Sequence, residues 1–153
     1  VGFGVDWHYY NTQSKGVVYE DGSPGLANDN YDMKINSNQV YLNGYAFSRY
    51  FLNHIRLFVD GGVGQSWNSA SYADKYKFNP SIGGIVLGER TIRSNAYDYG
   101  AGLIMSLVKT INVMVGYSYY DQGMIETSEG SINEKISFPL NSKMVYAGIS
   151  LIL

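Results

Sequence analysis

Asn95 to Gly123 reads NAYDYGAGLIMSLVKTINVMVGYSYYDQG. Tyr97, Tyr99, Ala101, Leu103, Met105 and Leu107 alternate with Asp98, Gly100, Gly102, Ile104 and Ser106. After Val108-Lys109-Thr110, Ile111, Val113, Val115, Tyr117 and Tyr119 alternate with Asn112, Met114, Gly116, Ser118 and Tyr120. Successive side chains on a strand point to opposite faces, so this period of two predicts a hairpin that turns at Val108 to Thr110. One face is apolar, with tyrosines far from the turn. The other carries Gly, Ser, Asn and Asp, too small or too polar for an ordinary hydrophobic core.

Alternation of this kind suits both a soluble sandwich and a membrane barrel. Three details favour the barrel. The strands run roughly ten residues, about what a tilted strand needs to cross a bilayer. The tyrosines gather at one level, as in an aromatic girdle, and the opposite face is rich in glycine. The apolar face is therefore expected to meet lipid and the polar face to line a narrow lumen.

Composition narrows the alternatives. The chain has 153 residues, the length of one domain, and no cysteine, which removes disulfides, thiolate metal sites and cysteine nucleophiles. Eleven basic and 13 acidic residues leave a net charge of -2, without the basic footprint of a nucleic-acid binder. Fifteen tyrosines, 18 glycines and a mean hydropathy of -0.16 suit an all-β chain with many turns. No apolar run is long enough for a transmembrane helix, but a β-barrel hides its membrane face in alternation. Val1 already lies in a strand pattern, with no charged and apolar leader before it; a signal peptide is expected to have been removed or to lie outside the sequence.

Working outward, Val1 to Asn11 reads as a first strand, followed by a polar excursion from Thr12 to Lys34. Gln39 to Phe47 is a second strand, read with Val40, Leu42 and Ala46 toward lipid and Tyr41, Asn43, Tyr45 and Phe47 opposite. Ser48 to His54 is a short link into a third strand, Ile55 to Trp67. Asn68 to Ser94 reads as the longest loop, partly ordered and able to extend the barrel wall as a ribbon. Strands four and five are the opening hairpin, Gln122 to Pro139 is a third long loop, and Val145, Ala147, Ile149, Leu151 and Leu153 mark the apolar face of the last strand. Connections thus alternate long and short, as in outer-membrane barrels with short periplasmic turns and long extracellular loops.

The segment GAGLIMSLVKTINVMVGYSYYDQG and the ending AGISLIL resemble the small outer-membrane β-barrels of the opacity-protein-like and OmpA-like group. Gly116-Tyr117-Ser118-Tyr119-Tyr120-Asp121 looks like the end of that group's ascending strands. Ile149, Leu151 and Leu153 stand at the alternating positions of its closing strand, with Leu153 where the group usually has phenylalanine. The resemblance implies an antiparallel up-and-down transmembrane β-barrel in the bacterial outer membrane, anchored in lipid, with a structural, anchoring or surface-interaction role. It also implies eight strands, of which six are visible. The other two are expected before Val1 or, as the less favoured source, inside the long polar stretches. Residues 1–153 then form one barrel domain lacking N-terminal strands.

Asp6, His8, Arg56, Asp60 and Asp98 fall on the expected lumen face. Unpaired buried charges are costly, so a network of Arg56 with Asp60, Asp98 or Asp6 is expected to fill the interior, which in eight strands is just wide enough for side chains. A narrow ion-conducting pore is the functional alternative. A lipid-modifying enzyme would need His8 with Ser66 or Ser118, but no Gly-x-Ser-x-Gly motif occurs, and no enzyme activity is expected. Asp29 with Asp32 and Glu126 with Glu129 lack an EF-hand pattern, and no metal or cofactor is expected. Tyr19, Tyr31, Tyr72, Tyr76 and Phe78 lie among Asn, Ser and Gly, a recognition-surface composition, and are candidates for contact with other outer-membrane or extracellular proteins. A soluble lipocalin-like carrier is the remaining alternative; it requires the aliphatic face to point inward.

Overall fold

The computed structural model describes residues 1–19, 27–51, 54–76, 83–108, 110–130 and 134–151. They form β1 (Gly2–Tyr19), β2 (Ala27–Phe47), β3 (Ile55–Tyr76), β4 (Gly83–Val108), β5 (Ile111–Glu126) and β6 (Ser137–Leu151), with no helix among the described residues. Every strand pairs antiparallel with the next in sequence, giving one six-stranded up-and-down sheet. The sheet curls into a half-barrel. Tyr41 on β2 meets Tyr120 on β5 across its concave side at 5.7 Å between ring centroids, a reach a flat sheet would not permit.

Alternation decides which side is concave. Tyr41, Asn43, Phe58, Ser66, Asp98, Ile104 and Ser118 are buried, while their neighbours Val40, Leu42, Leu57, Val59, Trp67, Tyr97, Tyr99, Leu103, Val115 and Tyr117 are exposed on the convex side. The aliphatic set of β2 points outward, as its sequence suggests. Val108 pairs with Ile111, so the opening hairpin turns tightly where expected; Lys109 within that turn lies outside the described residues.

The polar excursion expected at Thr12 to Lys34 is instead mostly strand, and most of Asn68 to Ser94 forms a wall-extending ribbon rather than a loop, because β1 pairs with β2 as far as Tyr19↔Ala27 and β3 with β4 as far as Lys75↔Gly83. Their sequences show little hydrophobic alternation because small, polar and apolar residues are mixed on both faces, whereas backbone pairing needs none and simply continues the register set lower down. These stretches lengthen existing strands and add none, so they do not supply two further strands among the described residues.

Gln122 to Pro139 is strand only at its two ends, where β5 runs to Glu126 and β6 starts at Ser137, and its course differs. The β4–β5 ladder ends at Tyr97↔Asp121, and β5 then bends into the concave side at Gly123, whose φ is 76°. There the Asp121 carboxylate accepts the Gly123 amide at 2.9 Å. The β5–β6 arm beyond the bend packs Ile125 against Ile35 and Ala70, with Met33, Phe138 and Leu140 around them. Ile125 and Thr127 are fully buried, and the Ser128 amide reaches the Gly88 carbonyl at 3.0 Å.

Candidate functional surfaces on the two faces of the sheet

On the convex face an apolar band crosses all six strands. Its residues include Phe3, 85% exposed, Val63, 67% exposed, and Val145, 75% exposed. Outward positions from Val1 to Tyr9, Val40 to Ala46, Leu57 to Trp67, Tyr97 to Leu107, Ile111 to Tyr119 and Val145 to Ile149 include no Asp, Glu, Lys or Arg. Just beyond it, toward the long connections, come Asn11, Asn36, Asn38, Arg93, Asp121 and Lys143. Aromatic side chains mark that border: Trp7 and Tyr9 on β1, Trp67 on β3, Tyr97 and Tyr99 on β4, Tyr117 and Tyr119 on β5. By ladder register the border falls diagonally from β1 to β6. Strands of a curled sheet tilt against its axis, so a level ring must step along successive strands in this way. Trp7 turns its indole N–H to Asn38 Oδ1 at 2.8 Å, leaving the ring body exposed.

The concave face is polar. Tyr41 donates to Gln39 at 3.1 Å, Gln39 to Ser37 at 2.7 Å, and Ser37 to Asn68 Oδ1 at 2.5 Å. The Asn68 amide then donates to the carbonyls of Gln122 and Met124, at 2.6 and 2.9 Å, while the Ser66 hydroxyl donates to Gln122 at 2.6 Å. This chain of buried donors and acceptors pins the inward-bent arm to β2 and β3. Ile125 and its neighbours thereby cover the concave side toward the long connections.

Asp6, His8, Arg56, Asp60 and Asp98 all face the concave side or its rim, but they do not form one network. Asp6 accepts from the Asn43 amide at 2.5 Å and from Tyr45 at 3.3 Å. His8 lies between the rings of Tyr120 and Tyr41, at 5.0 and 5.7 Å. The Arg56 guanidinium stacks over Phe47 at 4.4 Å and Tyr50 at 5.2 Å, and no ion pair joins it to Asp6, Asp60 or Asp98 among the described residues. Arg56 sits close to the tight-turn end, and two aromatic faces hold its charge there. Asp60 and Asp98 instead fit into space left by glycines: a Cβ on Gly100 would stand 2.8 Å from Asp60, and one on Gly62 2.3 Å from Asp98.

At the end with long connections, Tyr31 and Tyr72 stack at 6.1 Å with 17° between ring planes. With Tyr76, Lys15, Lys34 and Lys75 they line a trough of about 840 Å³. Gly16 makes room for Tyr31, since a Cβ there would stand 2.6 Å from its ring. Burial and the nearby Asp74 carboxylate push the Tyr72 hydroxyl up to about 12. Hydrogen bonds from Gln13, at 2.7 Å to each oxygen, and the nearby Lys15 and Lys34 hold the Asp32 carboxyl below its ordinary value. The Tyr19 side chain and Phe78 lie outside the described residues. Glu126 binds Arg90 at 3.3 Å and Lys135 at 3.7 Å.

Sequence reading overlooked Ser66, Asn68 and Gly123 as structural determinants. Gly123 two residues after Asp121 was a detectable turn signal; nothing in the sequence marks Ser66 and Asn68 as the arm's donors. No family model, curated protein or solved structure matches the chain.

Proposed function

We propose that this chain is the wall of a bacterial outer-membrane β-barrel, with a non-enzymatic structural, anchoring or surface-interaction role. The convex apolar band carries the reading: it is free of charge, nine to eleven residues deep on β1, β3, β4 and β5, and bordered by aromatic rings. That depth matches a tilted strand crossing hydrocarbon, and aromatic rings are favoured at the lipid–water boundary. The strand extensions of β1 to β4 and the β5–β6 arm then stand outside the membrane, where the tyrosine trough is available to other proteins.

The other readings have less support. A lipocalin-like carrier needs its aliphatic side chains inside, the reverse of the burial pattern. An ion pore is opposed by the inward-bent arm. For an enzyme, the Ser66 hydroxyl is already committed to a backbone carbonyl and the His8 ring to two tyrosines. The test is extraction. The protein is expected in the membrane fraction, released only by detergent, and to migrate differently on a gel before and after boiling; a monomer that stays soluble without detergent would overturn the proposal.

A further inference from the structure

Asp6, Asp60 and Asp98 bring three carboxylates to the concave side from β1, β3 and β4. Asp98 is 4% exposed, and neither of its carboxylate oxygens has a hydrogen-bond partner; one oxygen of Asp60 is also unpartnered. Asn43, 2% exposed, donates to Asp6, but its own Oδ1 receives nothing. That oxygen and Asp98 Oδ1 stand 1.5 and 2.3 Å from the point where a Cβ on Gly62 would be, so two buried acceptors crowd one place with no donor between them. Among the described residues no lysine or arginine pairs with these carboxylates. Buried acceptors and anions left in this state are strongly unfavourable.

The same side of the molecule has a second deficit. Among the described residues β1 pairs only with β2 and β6 only with β5, so each presents a free backbone edge. On the membrane reading, on which this inference rests, an open edge cannot face hydrocarbon, because its N–H and C=O groups have no water to bind.

We infer that the wall between β1 and β6 is completed by a β-hairpin whose inward face carries a lysine or arginine level with Asp6. A strand paired to the free edge of β1 sets an inward side chain opposite Asp6, with Cβ atoms about 4.5–5.5 Å apart. A long cationic side chain from there extends toward Asp98 and the unpartnered Asn43 oxygen. A second copy of this chain is the wrong occupant, since it would bring another Asp6, Asp60 and Asp98 into the same space. Charge complementarity selects a basic hairpin.

The test is the sign of a stability change in the intact protein extracted from its membrane with everything that co-purifies. Asp98→Asn and Asp6→Asn keep side-chain shape and remove charge. If a cation faces them, each change strands it, and the temperature at which the folded gel form is lost falls by on the order of 5–10 °C. An unchanged or raised temperature would overturn the inference, because neutralising an unpaired buried carboxylate relieves it. Should Asp98→Asn fail to assemble, Asp6→Glu is compared with Asp6→Asn: retention by Glu and loss by Asn supports the cation, and equal loss contradicts it. Detergent-free solubility of the unaltered protein would defeat the membrane reading itself and is measured first, so the two failures are distinct.

Discussion

Gly123 shows how one residue directs the course of a hairpin. Its φ of 76° is in the left-handed region, and a Cβ there would stand 2.3 Å from that of Ser94. Gly123→Ala therefore meets both backbone strain and a clash, and is expected to cost about 2 kcal/mol or more, read as a lowered urea midpoint. No loss would mean that β5 does not bend there. Tyr72 supplies a pH-dependent counterpart outside the apolar band. Its hydroxyl is held neutral up to about 12, above the ordinary value of 10, so its contribution is complete below pH 10 and disappears as pH rises toward 12. Tyr72→Phe keeps the ring over Tyr31 without the ionising group. Its near-ultraviolet circular dichroism should change less over that interval than that of the unaltered protein; an equal change contradicts the assignment.

At the scale of the element, the inward-bent β5–β6 arm depends on Asn68. The single amide donates to two β5 carbonyls and accepts from Ser37. Asn68→Ala leaves those groups without their partner, at a cost of about 1–3 kcal/mol, and should expose the arm to limited proteolysis while the lower strands stay protected. An arm as resistant as before would show that Ile125 packing alone holds it. The same element marks how far sequence carried. Strands with one aliphatic face, such as Tyr97 to Leu107 and Ile111 to Tyr119, were legible because burial and exposure imprint a period of two. The extensions Thr12 to Tyr19 and Asn68 to Tyr76 were not, since neither face carries a continuous aliphatic row and their pairing is inherited through the backbone. Asp6, His8, Asp60 and Asp98 were legible as concave residues by parity. Parity gives a face and not a height, so it placed Arg56 with the carboxylates, whereas its guanidinium stacks on Phe47 and Tyr50 and makes no ion pair with those carboxylates among the described residues.

For the whole molecule, the decisive feature is that exposed apolar side chains form a continuous band bordered by rings. In water such a surface is a liability far larger than single exposed residues, and in hydrocarbon it is the favourable side. Val63→Arg, at an outward position within the band, is expected to destabilise the membrane-inserted form by about 2–4 kcal/mol, whereas Gln13→Arg beyond the border should be nearly neutral. Equal effects at the two positions would count against lipid contact. The chain has two tryptophans, Trp7 and Trp67, both exposed and both at the aromatic border. Their fluorescence in vesicles of brominated lipids tests lipid contact directly. Strong quenching is expected, greater with bromine near the headgroups than at the chain ends; fluorescence unaffected by either lipid would contradict lipid contact at the border.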